Sequence, residues 1–261
     1  MNLRYLFGAI LSLPLLPIMY FQGRKIKAAI PNLSEATENE GVANISDTTT
    51  DKIRMITIGE STIAGVGVET HEEGFTGTLA RELSTLLKAE VSWKVYARSG
   101  YNAKKVANIL VPKIFEQELD LIVIGLGGND AFELNRPSKW RRDITALIMA
   151  LRSKYPATPM VFCNMPPIKL FPAFTPLIKF TIGNLVEILG EELQHTVSQH
   201  ENTYYFGEKI TFERWIERYE VDGGPQDFFS DGVHPSKLTY QVWAKDVATN
   251  IVNSPKLKFP G

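Results

Sequence analysis

The sequence predicts an α/β domain with a mainly parallel sheet that is covered by helices on both faces. Short, continuous apolar runs recur along the chain from Ile53 onward, as in strands that are buried on both sides. Between them lie segments in which apolar residues recur at three- and four-residue steps, as in amphipathic helices. Strands that alternate with helices in this way favour parallel pairing through helical crossovers.

The predicted elements of this domain alternate along residues 53–253. Strands are predicted at residues 55–58, 91–96, 119–126, 160–164 and 204–206, and helices at residues 75–87, 103–115, 140–151, 177–200 and 235–251. The clearest strand pattern is LDLIVIGL at residues 119–126. Residues 165–176 contain four prolines and are predicted to form a loop, because proline lacks the backbone donor that helices and strands need.

The amino-terminal segment differs in composition from the rest of the chain. Tyr5–Phe21 contains no charged residue, and as a helix of 17 residues it would be about 25 Å long, just short of the hydrocarbon core of a bilayer. An uncleaved membrane anchor, a cleaved signal peptide and a buried helix are the three interpretations. No A-x-A pattern marks a cleavage site, and Pro14 and Pro17 disfavour an ordinary interior helix. Residues 1–27 are therefore predicted to be a hydrophobic membrane anchor or signal segment.

The basic residues around this segment indicate on which side of the membrane the main domain lies. Arg24, Lys25 and Lys27 follow the apolar run, whereas Arg4 and the amino terminus precede it. By the positive-inside rule this distribution favours a cytoplasmic main domain that is associated with the membrane through its anchor. The alternative is export after cleavage of a signal.

A polar segment separates this leader from the predicted domain. Residues 31–51 carry five acidic side chains and many Ser, Thr and Asn residues but no aromatic residue. Such a composition cannot bury enough apolar surface to fold by itself. Residues 28–52 are therefore predicted to be a flexible linker, residues 53–253 the main folded domain and residues 254–261 a carboxyl-terminal tail.

Charge and composition exclude several classes of function. The 28 basic and 29 acidic residues nearly cancel, whereas a nucleic-acid-binding surface is normally strongly basic. The single cysteine, Cys163, cannot form an intrachain disulfide and is predicted to be a buried, unreactive thiol. The four histidines are scattered without an H-E-x-x-H pattern, and no glycine-rich nucleotide-binding motif is present. We expect no metal, no other cofactor and no nucleic-acid partner.

Polar residues with catalytic potential follow the predicted strands. Ser61 follows the first strand, Gly100 the second and Asn129 the third, while Asp231 and His234 precede the last helix. Functional residues of parallel sheets usually lie at the carboxyl ends of the strands. A nucleophilic serine, an imidazole base, a carboxylate that orients it and an amide donor are the groups that acyl transfer requires. Position 63 is isoleucine, so Ser61 does not lie in the G-x-S-x-G motif.

In these residues the chain resembles the SGNH hydrolases, also called GDSL esterases/lipases. The family is named after Ser, Gly, Asn and His in four sequence blocks, which correspond here to Ser61 in GEST, Gly100 in RSGYN, Asn129 in GGND and His234 in DGVHP. The similarity covers about three quarters of the chain. Glu60 stands where the family usually has Asp, and Thr62 replaces the leucine of the family name. The resemblance implies a three-layer α/β/α sandwich with a flavodoxin-like sheet.

The resemblance also implies a serine esterase or lipase, a carboxylic ester hydrolase of class EC 3.1.1. Ser61 would attack the ester carbonyl to form an acyl-enzyme, His234 would accept and return the proton, and Asp231 would orient the His234 ring. The backbone N–H groups of Ser61 and Gly100 and the side-chain amide of Asn129 would form the oxyanion hole. No metal or organic cofactor is implied.

Aromatic residues suggest the kind of substrate. Several lie on loops next to the expected site, and we expect four of them to contact substrate: Tyr101, Phe132, Phe171 and Phe229. Together with a membrane anchor they favour a small-molecule or lipid ester as the substrate. The alternatives are a carbohydrate O-acetylesterase and a catalytically silent, membrane-tethered binding module. The complete set Ser61, Asn129, Asp231 and His234 argues against the silent module.

Overall fold

A computed structural model describes residues 3–44, 51–220 and 224–257 of the protein. Within these residues six strands form one sheet in the order β1–β3–β2–β4–β5–β6. The strands are β1 (Glu40–Ala43), β2 (Lys52–Gly59), β3 (Glu90–Ala97), β4 (Leu121–Gly125), β5 (Met160–Phe162) and β6 (Thr203–Tyr205). The helices are α1 (Leu3–Ser12), α2 (Leu16–Ala29), α3 (Phe75–Leu87), α4 (Ala103–Lys105), α5 (Gly128–Phe132), α6 (Pro137–Lys154), α7 (Pro176–Val197), α8 (Phe212–Tyr219) and α9 (Lys237–Asn253).

Strands β2 to β6 are parallel, and only the edge strand β1 is antiparallel to its neighbour β3. The chain leaves β2 towards β3, returns past β2 to β4 and then continues outward. This order is that of a flavodoxin-like sheet, in which ligands bind where the direction of winding reverses, at the carboxyl ends of the central strands. The predicted mainly parallel sheet and its fold class are confirmed.

Two separate hydrophobic cores cover the faces of the sheet. Successive side chains of a strand point to opposite faces. Ile122 and Ile124 of β4 therefore contact α6 and α7, whereas Leu121 and Val123 contact α3 and α9. All four side chains are fully buried, and each such burial contributes about 1.5–3 kcal/mol. Cys163 lies in the second core, where burial raises the pKa of its thiol, as expected for an unreactive cysteine.

Two local differences from the predicted elements have physical causes. The predicted helix 103–115 is α4 followed by a π-helical turn at Val106–Leu110 and a 3-10 turn at Val111–Lys113, because Pro112 lacks the N–H that an α-helix would need. Strand β1 lies within the predicted linker, residues 28–52. Its four residues pair with β3 through the backbone, which requires no apolar side chains. Of the predicted linker and tail, residues 45–50 and 258–261 lie outside the described residues.

The amino-terminal segment is helical from Leu3 to Ala29, with a 3-10 turn at Leu13–Leu15 that accommodates Pro14. Among the described residues this is one helix that is long and apolar enough to cross a membrane, with a mean hydropathy of 1.5 over its most apolar window. Only 6% of that window is buried. Arg4 forms ion pairs with Glu187 and Glu191, so α1 lies beside α7 while most of its apolar side chains are exposed.

The central strands β2 and β4 approach each other most closely at a pair of glycines. Gly59 is paired with Gly125 in the sheet, and a Cβ atom on Gly59 would lie 2.2 Å from the carbonyl oxygen of Gly125. Ile63, in the turn after β2, packs over the same two glycines, at 2.7 Å and 2.5 Å from the Cβ positions. Only glycine permits this contact between two backbones.

We therefore expect Gly59→Ala to destabilise the full-length protein by about 3 kcal/mol or more, because the new methyl group overlaps backbone that cannot move away. Urea unfolding in mild detergent measures this loss. The matched control is Lys52→Ala in the same strand, whose side chain is 69% exposed and should change stability by less than about 1 kcal/mol. Equal stability of the two variants would contradict the close-approach argument.

Candidate active site

Three strands of the sheet end at the same level. Gly59 at the end of β2 is paired with Ala97 of β3 on one side and with Gly125 of β4 on the other. The loops that carry Ser61, Gly100 and Asn129 therefore start side by side at one edge of the sheet. Backbone bonds join these loops, from the N–H of Arg98 to the carbonyl of Gly59 and from the N–H of Glu60 to that of Gly125.

Ser61 lies in the turn directly after β2 and is partly exposed. Its carbonyl accepts a hydrogen bond from the N–H of Val66 at 3.2 Å, which closes the turn. Within the described part of the chain no hydrogen bond joins the Ser61 hydroxyl to another group. The hydroxyl is therefore free to meet a substrate at the edge of the sheet.

Glu60 connects the Ser61 turn to the Asn129 turn. Its buried carboxylate accepts hydrogen bonds from the backbone N–H groups of Gly128 (2.8 Å) and Asn129 (2.9 Å), at the first turn of α5. Burial raises the pKa of Glu60 to about 7, although these two hydrogen bonds oppose the shift. The role of Glu60 was not recognised in the sequence, where its position next to Ser61 was the available signal.

Asn129 is held with its side chain in one orientation. Its Nδ2 donates one hydrogen bond to the carbonyl oxygen of Tyr101 at 3.0 Å. The Asn129 side chain also forms a hydrogen bond that stabilises the charged form of the Glu60 carboxylate. The next residue, Asp130, is fully buried, and its carboxylate accepts hydrogen bonds from the N–H of Ala103 and the side chain of Asn135. Burial raises the pKa of Asp130 to about 6.

Gly100 occupies a tight turn after β3. The turn runs from Arg98 to Tyr101, closed by a bond from the N–H of Tyr101 to the carbonyl of Arg98 (3.2 Å), and Gly100 has φ +77°. A type II turn requires a positive φ at its third position, which explains the glycine. Among the described residues the N–H of Gly100 has no hydrogen-bond partner, and the residue is exposed.

Asp231 and His234 form a short, well-defined pair. The His234 Nδ1 lies 2.7 Å from Oδ2 of Asp231, while Oδ1 of Asp231 accepts the backbone N–H groups of Val233 and His234. The Asp231 side chain is 0% exposed and that of His234 is 24% exposed. Burial pushes the pKa of Asp231 up, but the hydrogen bonds from His234 and Val233 outweigh burial, and the net pKa lies below its usual value. The carboxylate is therefore charged at neutral pH and fixes the orientation of the ring.

The loop that carries this pair packs against the Ser61 turn. A Cβ atom on Gly67 would lie 2.6 Å from the Ser230 hydroxyl and 2.7 Å from the carbonyl of Pro235, and Tyr240 donates a hydrogen bond to the carbonyl of Val66. These contacts bring the His234 loop next to the Ser61 turn. No hydrogen bond joins His234 to Ser61 in the described residues. Bonds of this kind are often long or absent in enzymes without substrate.

An apolar cavity of about 50 Å³ opens beside these loops. Thr62 and Pro235, the neighbours of Ser61 and His234, line it together with Phe171 and Phe229. Its other aromatic walls come from α8 and α9 and were not predicted from the sequence: Phe212, Trp215 and Trp243. Their spacing on amphipathic helices is that of ordinary core residues, so no signal distinguished them.

The remaining predicted aromatic residues lie at different depths. Phe132 is 44% exposed and its ring centre is 5.3 Å from that of Phe174, which in turn stacks on Phe171. Phe171 contacts Phe229 edge to face at 5.1 Å, so a continuous row of rings runs from α5 to the cavity. The side chain of Tyr101 lies beside Lys105, outside this row.

Among the described residues no group of three or more His, Cys, Asp and Glu side chains is placed to hold a metal ion.

The chain belongs to the GDSL-like lipase/acylhydrolase family, whose sequence model matches residues 57–242, more than half of the chain. This match spans β2 to α9 and includes the loops described above. No curated protein matches the sequence at a significant level.

Solved structures support the same fold. The chain is similar to LAE5, an α/β hydrolase enzyme from the metagenome of Lake Arreo, with 16% identity, a TM-score of 0.57 and coverage of 79% of this chain and 98% of that one. It is also similar to a lipolytic protein of the G-D-S-L family from Veillonella parvula, with 14% identity, a TM-score of 0.57 and coverage of 77% and 100%. A family 3 carbohydrate esterase from Clostridium thermocellum shares 15% identity, with a TM-score of 0.54 and coverage of 78% and 100%.

The raised pKa of Glu60 predicts a pH dependence of stability. In the unfolded chain this carboxyl loses its proton near its ordinary pKa of 4.5, whereas in the folded protein it keeps the proton up to about 7. The folded state therefore binds more protons between these values, and the free energy of unfolding falls as the pH rises through this range, by up to about 3 kcal/mol.

Unfolding of the full-length protein and of Glu60→Gln at four pH values between 4.5 and 7.5 measures this effect. We expect a shallower fall with pH in the variant, because glutamine does not titrate. Asp130 titrates in both proteins and contributes to the raised pKa of Glu60, so the difference between the two curves reports Glu60 together with its coupling to Asp130. Parallel curves would show that Glu60 is ionised throughout the range.

Proposed function

We propose that the protein is a serine ester hydrolase that acts through an acyl-enzyme on Ser61, with Asp231 and His234 completing the triad. The observation that carries this proposal is the charged, buried Asp231 that binds Nδ1 of His234 in a loop packed against the Ser61 turn. With Nδ1 bound in this way, Nε2 is the nitrogen that accepts the serine proton. The GDSL-like acylhydrolase family supports ester hydrolysis as the type of reaction.

The reaction proceeds in two steps. Ser61 Oγ bonds to the ester carbonyl carbon while its proton passes to His234 Nε2, and the tetrahedral intermediate collapses with departure of the alcohol, which takes that proton. Water then attacks the acyl-enzyme, giving a proton to His234, and the acid leaves as Ser61 recovers its proton. The N–H groups of Ser61 and Gly100 and the side-chain amide of Asn129 stabilise the negative oxygen in both steps.

The anchor supports a substrate at the membrane surface, such as a lipid or another acylated molecule. The apolar helix ends at Ala29, and Glu35 is already hydrogen-bonded to the loop that contains Gly100. Six residue steps span at most about 20 Å in extended chain. In this structure the helix lies against α7. Once it leaves α7 and crosses the bilayer, it would hold the candidate site within about this distance of the surface.

A second candidate function is the hydrolysis of short acyl esters, as in an O-acetylesterase. The volume of the apolar cavity favours it. At about 50 Å³ the cavity is much smaller than the roughly 300–1,000 Å³ of typical ligand pockets. That size fits an acetyl or butyryl group, whereas a longer chain would have to extend along the open row of rings towards Phe132.

Hydrolysis of p-nitrophenyl esters from acetate to palmitate by the full-length protein distinguishes these candidates. We expect hydrolysis that Ser61→Ala abolishes, and an optimum at eight or more carbons if the row of rings binds the acyl chain. An optimum at acetate would select the O-acetylesterase, and equal rates in both proteins would remove Ser61 from the mechanism.

Asn129→Ala tests the oxyanion hole. Loss of one donor to the oxyanion typically lowers kcat by about 10²–10³. We expect this fall with KM within about threefold of that of the native protein, because the donor acts mainly in the transition state. Steady-state kinetics on the best ester give both constants. A change in KM alone would assign Asn129 to ground-state binding instead.

A further inference from the structure

The segment between the apolar helix and the catalytic domain crosses two loops of the candidate site. The N–H of Ala36 donates to the carbonyl of Ala64 at 2.9 Å, and the N–H of Thr37 donates to the carbonyl of Glu69 at 3.0 Å. Ala64 lies within the Ser61 turn, and Glu69 follows a few residues after it. Ala36 is buried there, with its methyl group against Gly65.

Glu35, the residue before this contact, reaches the loop on the other side. Its Oε1 accepts the backbone N–H of Ser99 at 2.7 Å, and its Oε2 accepts a hydrogen bond from the Arg98 guanidinium at 3.0 Å. Ser99 and Gly100 are the two central residues of the type II turn. Because that turn leaves the N–H groups of both central residues without internal partners, Glu35 binds one of them and leaves that of Gly100 for the substrate.

The two hydrogen bonds of Glu35 differ in strength and in the part of the turn that they fix. The Arg98 side chain is 62% exposed, so its ion pair with Glu35 contributes little. The bond to Ser99 is a charge-assisted bond to the backbone, and it acts on the peptide next to Gly100. Displacement of this peptide would move the N–H of Gly100 relative to the Ser61 turn.

We propose that Glu35 is a positioning residue for catalysis: it fixes the Arg98–Tyr101 turn so that the N–H of Gly100 points at the oxyanion. This inference rests on the proposed function. It makes the segment that joins the apolar helix to the domain a part of the active site, since the same stretch of chain binds both the Ser61 turn and the Gly100 turn. A fragment that starts after Asn44 would lack this support.

Kinetics of the full-length protein in detergent test the proposal with four single variants. Glu35→Ala removes the acceptor and should lower kcat about tenfold, less than the loss of a whole oxyanion donor, with KM within about twofold. Glu35→Gln keeps an oxygen for the Ser99 N–H and should stay within about threefold of the native kcat. Arg98→Ala removes only the exposed ion pair and should do the same. Glu40→Gln is the matched control and should leave kcat unchanged, because Glu40 lies in the same segment but is 71% exposed and, among the described residues, ion-paired only with Lys94.

A double-mutant cycle separates positioning from general destabilisation. Ser99→Pro removes the N–H that Glu35 binds, while proline suits the second position of a type II turn. In this background Glu35→Ala should cause no further loss of kcat, because the bond it removes no longer exists. A tenfold further loss would overturn the proposal and assign Glu35 a purely structural role.

The failure of this proposal is distinguishable from failure of the proposed function. If Ser61→Ala is inactive but Glu35→Ala retains the native kcat, Glu35 does not position the oxyanion hole although the protein is a serine hydrolase. If Ser61→Ala retains activity, the proposed function itself fails.

Discussion

The site depends on the register of the three central strands. Gly59 lies opposite both Ala97 and Gly125, so β2, β3 and β4 end together and their loops start at the same edge. The glycine pair allows β2 and β4 to approach so closely that the Glu60 carboxylate reaches the first turn of α5. A shift of one residue in this register would turn Glu60 to the other face and separate the Ser61 turn from Asn129.

The pKa values of two buried carboxylates near this edge are shifted in opposite directions. Burial dominates at Glu60 and raises its pKa to about 7, whereas the bonds from His234 and from the backbone prevail at Asp231 and lower its pKa. The contrast separates their roles. Asp231 keeps a full charge next to the imidazole ring, whereas burial and the nearby Asp130 carboxylate disfavour ionisation of Glu60, which holds two turns together. Environments that separate the pKa values of neighbouring acids are a general property of catalytic sites.

Much of this arrangement follows from sequence because it depends on local patterns. Buried strands show as apolar runs, and residues after parallel strands meet at one edge, so the segments that carry Ser61, Gly100 and Asn129 could be placed together by position. The resemblance to the SGNH hydrolases supplied the expected roles of these residues. The Asp231–His234 pair is also local, since three residues separate its members. Their joint action as catalytic residues stays a prediction until kinetic measurements test it.

Features that depend on backbone pairing or on distant contacts were not predictable in this way. Strand β1 and the contacts of Glu35 lie in a polar segment whose composition is typical of a linker, because main-chain hydrogen bonds leave no trace in side-chain hydrophobicity. The cavity walls from α8 and α9 are likewise indistinguishable from core residues until the helices are placed. Glu60 was visible next to Ser61, but only the fold shows that its carboxylate binds the turn of Asn129.

The central claim is that His234, oriented by Asp231, activates Ser61 as a nucleophile. Intact-mass and peptide analysis of the full-length protein after treatment with a fluorophosphonate tests it most directly, because this reagent bonds to activated serines. The account predicts one adduct, located on Ser61, and much slower labelling of His234→Ala. An adduct on another serine, or equal labelling of the His234 variant, would contradict it.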